Sequence, residues 1–198
     1  GEGEVMFRIT QLALSKDEPD NTGPLLAEVK KRVGEYIYEV GERKMHEVVA
    51  DLLVERHATL SMAESCTAGL AQSMLGEIPG ASRFLIGGLV AYANEIKRGF
   101  LGVPAELLER EGAVSEACAI AMADGCRSMF GTDYAVGITG IAGPDGGTPE
   151  KPVGLVHLAV ADANGCETRV LRINGNRARV RGVAALNAFD LLRRRILG

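Results

Sequence analysis

Residues 59–75, TLSMAESCTAGLAQSML, decide how the chain is read. Their pattern predicts a short strand near Thr59 to Ala63, a connection over Glu64 to Gly69, and a helix over about Thr67 to Leu75. Phe84 to Tyr92 is a continuous apolar run of strand length, and the short helix after it carries Lys97 and has Asn94 as its cap. Tyr134 to Ile138 repeats the buried-strand pattern. Between them Pro104 to Glu111 predicts a short helix, and Ser115 an N-cap for an Ala- and Met-rich helix ending near Gly131.

Upstream, Met45, Val48, Val49, Leu52 and Leu53 make one helical stripe. Downstream, Val153 to Ala161 and Glu167 to Ile173 form a hairpin across Asp162-Ala163-Asn164-Gly165, and a long helix, Arg177 to Leu197, follows. The whole predicts an α/β fold: a three-layer α/β/α sandwich with a mixed sheet, plus a short N-terminal strand-helix appendage. Residues 1–42 are that appendage, with a strand at Val5, Phe7 and Ile9, a polar turn over Lys16 to Gly23, and a helix from Pro24 to about Val40. Residues 43–198 are the main domain. One strand and one helix bury little surface, so the appendage reads as the remnant of a domain lying upstream, and Gly1-Glu2-Gly3-Glu4 as a cut or tagged end.

The 198 residues are 46% hydrophobic and 24% charged, a globular profile. A formal charge of -4 provides no global positive field for extended nucleic acid. The apolar runs fall well short of the roughly 20 residues of a spanning helix, so no membrane partner is expected. Four cysteines and three histidines show neither a CxxC pair nor zinc-type spacing, which predicts reduced thiols, a cytoplasmic setting, no metal and no cofactor.

Chemistry concentrates in three places. Ser65 lies at a strand-to-helix junction, where unpaired helix N–H groups can receive an oxyanion; the same stretch also fits a plain helix cap made by Ser65 or Thr67. It is neither a G-x-S-x-G elbow nor an S-x-x-K motif, and no His has a plausible acidic partner, so the activating base must be Tyr92 or Lys97. Thr139 to Pro149 is glycine-rich and brings backbone amides close to a ligand, as an anion nest does. Arg177, Arg179 and Arg181 open the last helix, where cations oppose the helix dipole unless an anion is near.

Taken in order, the stretches AESCTAG (63–69), GLVAYANEIK (88–97), LGVP (101–104), GAVSE (112–116) and GITGIAGPDGGTPEKPVG (137–154), with the arginines of the last helix, resemble the C-terminal domain of the competence/damage-inducible CinA family over about residues 45–198. GEYIYEV (34–40) resembles the end of the middle domain of full-length CinA proteins. The resemblance implies hydrolysis of nicotinamide mononucleotide to nicotinate mononucleotide and ammonia, with no cofactor and with a small nucleotide as partner. It implies Ser65 as nucleophile and Tyr92 and Lys97 as its activating partners. Thr67, Ser82, Asn94, Thr139, Gly140, Gly143, Gly146, Gly147 and Thr148 are the implied substrate contacts, with Arg177 or Arg181 on the phosphate. Ala68, Ala93 and Asn176 stand where many relatives have Gly, Ser and Asp.

The expected mechanism is attack by Ser65 on the carboxamide, its proton passing to a neutral Lys97 or through Tyr92. Cys66 is the rival nucleophile, since a thiol at a helix N-terminus can be acidified. The other readings are a catalytically silent nucleotide-binding module and an assembly domain; a homodimer or larger homo-oligomer is expected either way.

Overall fold

The computed structural model describes residues 3–12, 15 and 19–198, so part of the predicted turn over Lys16 to Gly23 lies outside the described residues. In chain order come α1 (Thr22–Val33), α2 (Met45–Glu55), β1 (Leu60–Glu64), α3 (Leu70–Gly76), β2 (Leu85–Val90), α4 (Asn94–Leu101), α5 (Ala105–Glu111), α6 (Glu116–Phe130), β3 (Tyr134–Gly140), β4 (Leu155–Asp162), β5 (Gly165–Arg172) and α7 (Arg177–Leu197). The sheet runs β2-β1-β3-β4-β5. β2, β1 and β3 are parallel, and β4 and β5 continue antiparallel, so the sheet is mixed and its outer hairpin turns at Ala163-Asn164. Helices α2, α3 and α7 cover one face and α4, α5 and α6 the other, the three layers that alternating strands and helices predict.

The two faces differ in side-chain size. Toward α2 and α7 the strands present Leu60, Met62, Val136, Ile138, Val156, Leu158 and Val160, which pack with Leu53, Phe189 and Leu192. Toward α6 they present Ala63, Ala135, Gly137, Ala159 and Ala161, against Ala119 and Ala123. A Cβ on Gly137 would stand 2.3 Å from the Ala119 carbonyl oxygen, so α6 lies almost on the strand backbone. Gly125 of α6 gives the same close approach to α4, where a Cβ would stand 1.9 Å from the Leu101 carbonyl oxygen. Small residues therefore seat α6 low and bring α4, which packs on it, down toward the end of β1.

Ser115 caps α6 as expected, its Oγ accepting the Cys118 N–H at 3.2 Å. Two expectations need correction. Val5, Phe7 and Ile9 form no strand; Val5 and Phe7 are exposed, because no neighbouring strand takes their backbone hydrogen bonds. α1 ends at Val33, passes into a 3-10 turn over Gly34–Tyr36, and buries none of its residues. The N-terminal segment instead leans on α7: the Arg194 guanidinium donates to the Glu35 carbonyl at 3.0 Å, and Tyr38 packs on the core while its phenol donates to Glu4 at 2.5 Å.

Candidate active site

The C-terminal ends of the three parallel strands meet the connections that carry the predicted site, as in other open α/β sheets. Ser65 follows directly on β1, and its N–H donates to the Ile138 carbonyl at 2.9 Å, carrying the β1–β3 ladder one residue further. Ala68 (φ 51°) and Gly69 (φ 85°) then take left-handed backbone. A right-handed helix cannot contain them, so α3 starts at Leu70 rather than at Thr67. Ser65 thus stands at the head of a four-residue turn, 8% exposed.

Lys97 reaches the same point from α4. Its Nζ lies 3.3 Å from Ser65 Oγ and donates to the carbonyls of Ala91 at 2.9 Å and Tyr92 at 3.0 Å. The side chain is 1% exposed and no carboxylate pairs with it among the described residues. Burial therefore lowers the amine from its ordinary value, against smaller opposing effects of the neighbouring Cys118, Cys66 and Glu95. A neutral amine in this position uses its two N–H bonds on the two carbonyls and turns its lone pair to the Ser65 hydroxyl. That is the arrangement of a general base. Among the described residues no histidine is hydrogen-bonded to Ser65, and His157, opposite Thr139 in the β3–β4 ladder, has a buried Nδ1 with no partner.

The phenol of Tyr92 is elsewhere. Tyr92 is 56% exposed, and its oxygen accepts a hydrogen bond from Arg177 Nη2 at 3.1 Å, while Arg177 Nη1 donates to the Gly143 carbonyl at 3.0 Å. Among the described residues the hydrogen bond between Tyr92 and Lys97 is made by the Tyr92 carbonyl, and that of the phenol goes to Arg177. The two arginines are held differently: Arg181 Nε and Nη2 donate to the Thr67 carbonyl at 3.1 and 2.7 Å, whereas Arg177 lies at the rim with Tyr92 and Gly143. Thr67 is wholly buried and its Oγ1 has no partner among the described residues.

The remaining predicted contacts divide. Thr139 Oγ1 donates to the Ala113 carbonyl at 2.7 Å, tying β3 to the loop before α6. Gly140 and Gly143 pack tightly, since a Cβ would stand 2.7 Å from the Leu155 carbonyl oxygen and 2.6 Å from Val153 respectively. Gly146, Gly147 and Thr148 lie on the exposed part of the loop, which Thr148 closes by accepting the Lys151 N–H at 3.0 Å. Asn94 is the exposed first residue of α4 and does not cap it; Ala93 holds the cap position. Ser82 sits in the Ala81–Arg83 turn before β2, at the opposite end of that strand from Ala91, and is not brought to Ser65 within the chain. A cavity of about 520 Å³ lies on the flank of α4 and α5, lined by Glu95, Arg98 and Val103, and does not include Ser65.

Burial pushes the thiol of Cys66, the rival nucleophile, up to about 12, which opposes thiolate formation near neutral pH. The expected oxyanion donors also change. Glu64, 0% exposed, accepts the N–H groups of Ala71 at 3.2 Å and Gln72 at 2.8 Å, so the first turn of α3 is already occupied. The amides of Cys66 and Thr67 reach no oxygen among the described residues; both are directed at the Cys66 sulfur, where they oppose the effect of burial on the thiol. Local pattern reading misses Glu64 because a helix-capping residue normally adjoins its helix, whereas this one reaches amides seven and eight residues on. Among the described residues no three His, Cys, Asp or Glu side chains gather as a metal site, and no helix is long and apolar enough to cross a membrane.

Known proteins similar to this chain share its family and fold. The chain is 47% identical over 197 residues to a CinA-like protein of Dictyoglomus thermophilum, covering 99% of this chain and 48% of that protein. It is 45% identical over 197 residues to a CinA-like protein of Kosmotoga olearia, again 99% of this chain and 48% of the relative, so it spans about half the length of the curated relatives it matches. Among solved structures it resembles the competence/damage inducible protein CihA of Agrobacterium tumefaciens, with a TM-score of 0.73 and 38% identity over 79% of this chain and 98% of that one. A CinA superfamily protein of Klebsiella pneumoniae superposes with a TM-score of 0.75 at 35% identity, over 78% and 99% of the two chains. With the family model of the CinA C-terminal domain matching residues 42–196, the chain belongs to the CinA C-terminal domain family.

Proposed function

We propose that the chain hydrolyses the carboxamide of nicotinamide mononucleotide, releasing nicotinate mononucleotide and ammonia, in pyridine-nucleotide salvage. One observation carries the reading: a buried lysine amine without a counter-ion, 3.3 Å from the hydroxyl of Ser65. Family membership and the resemblance of the motifs to the nicotinamide-nucleotide amidohydrolases support the substrate.

In this mechanism Ser65 Oγ attacks the carboxamide carbon while Lys97 Nζ takes its proton. The tetrahedral oxyanion is received by the amides of Cys66 and Thr67. The C–N bond then breaks, the Lys97 ammonium returns the proton to the departing nitrogen, and ammonia leaves. Water attacks the acyl-serine with Lys97 again as base, freeing the acid. Arg177, already hydrogen-bonded at the rim to Tyr92 and Gly143, turns to the phosphate, with the exposed Gly146 to Thr148 backbone beside it. Residues 43–198 form the catalytic unit and 1–42 an appendage. The protein acts in the cytoplasm as a homodimer or larger homo-oligomer, which sedimentation at several concentrations tests.

The decisive assay measures nicotinate mononucleotide and ammonia with wild-type protein and Ser65→Ala. Wild type should turn over, and Ser65→Ala should lose at least about 10³-fold in kcat. Near-normal turnover in Ser65→Ala rejects the serine; wild type that binds the nucleotide in calorimetry without turnover identifies a binding module instead.

A further inference from the structure

The residue before Ser65 is a carboxylate with 0% exposure. Such a group is costly to bury, and its usual compensation is a cation. Glu64 has none: no ion pair includes it among the described residues, and its two oxygens instead accept the amides of Ala71 and Gln72. Those bonds cross the whole connection, so Glu64 ties the end of β1 to the start of α3 and closes Ser65 through Leu70 into a loop with both ends held. Gln72 is itself seated against the edge strand, where a Cβ on Gly88 would stand 2.1 Å from its Oε1, so the anchor point does not move freely. From the other side Arg181 grips the Thr67 carbonyl. The turn contains two left-handed residues, one of them the non-glycine Ala68, a conformation that persists only when its surroundings impose it.

Resting on the reading of Ser65 as nucleophile, we infer that Glu64 is a positioning residue: its carboxylate holds the strained turn so that the Ser65 hydroxyl meets Lys97. By occupying the first turn of α3, Glu64 also removes the competing place where an oxyanion would settle. Glu64→Gln keeps the shape but replaces one acceptor oxygen with an NH2 group that faces an N–H donor, so one anchoring bond is lost and a repulsive contact takes its place.

The test compares wild type, Glu64→Gln and Ser65→Ala in two readouts: kcat and KM for nicotinamide mononucleotide, and the rate at which phenylmethylsulfonyl fluoride sulfonylates the protein, followed by intact mass. The second reads the activation of Ser65 whatever the natural substrate is. Folded Glu64→Gln should lose roughly 10- to 100-fold in kcat and in sulfonylation rate, with KM within about threefold of wild type. Wild-type values of both rates in Glu64→Gln overturn the inference, as does a change confined to KM. If Glu64→Gln does not fold, Glu64→Asp, which keeps the charge and withdraws it by one methylene, is judged by the same criteria; failure of both to fold makes Glu64 a folding residue and overturns the inference. Sulfonylation that persists in Ser65→Ala overturns the nucleophile itself, so the two failures are distinguishable.

Discussion

Lys97 and Tyr92 stand five positions apart on one connection and end in opposite surroundings: the lysine is 1% exposed, the tyrosine 56%. Ordinary preference would place them the other way round. The inner wall of the site, made of Glu64, Ser65 and Lys97, is dry and closely bonded, whereas the rim, made of Tyr92, Arg177 and the exposed part of the glycine loop, faces solvent. The contrast separates two tasks. A proton acceptor for a serine needs a depressed pKa, which only burial without a counter-ion supplies here. A group that meets a charged, water-soluble ligand needs access.

Removing the amine tests the inner wall most severely. Lys97→Met should lower kcat by roughly 10²- to 10⁴-fold in a protein that still folds, at some cost in thermal stability because the Ala91 and Tyr92 carbonyls lose their donor. Near-normal turnover in the folded variant would dissolve the contrast. In wild type, activity should rise with pH through the lowered Lys97 value and level off below 10.5. The sign for stability is the same: below the folded value the amine carries a proton that the unfolded chain holds more readily, so unfolding free energy rises as pH passes from that value toward 10.5. Lys97→Met should abolish both dependences.

At the rim the effects are smaller and fall on binding. Arg177→Ala should raise KM for the phosphorylated substrate by about tenfold, with kcat within about threefold, and the uncharged nucleoside should not sense the change. A fall in kcat alone would move Arg177 to the inner wall. The smallest effect belongs to the turn between the two regions. Ala68→Gly should stabilise the protein by a few tenths to about 1 kcal/mol in denaturant unfolding, the relief of left-handed strain outweighing glycine's larger entropy loss, with activity unchanged.

Much of the architecture was readable locally. The α7 boundaries, the Ser115 cap and the order of strands and helices follow from apolar spacing and cap chemistry, which act over a few residues. The strand expected at Val5 to Ile9 was not readable in the same way, because a strand exists only with a neighbour. At the site the motifs marked Ser65 with Tyr92 and Lys97, but spacing alone left open whether the phenol or the amine takes the proton and whether Arg177 or Arg181 meets the phosphate, with Cys66 as a rival nucleophile. Arg181 turned out to bind the Thr67 carbonyl, the Tyr92 phenol to bind Arg177, and the Cys66 thiol to be sealed in the core.

The amino-acid sequence by itself determined a mixed α/β sandwich and a serine placed where its first strand ends, because hydrophobic periodicity and turn chemistry are local. Only the tertiary structure decided which lysine is buried, which arginine stands at the rim and which amides Glu64 has taken. Burial and hydrogen-bond partnership depend on atoms seven to more than a hundred residues away, such as Gln72 to Glu64 and Arg181 to Thr67.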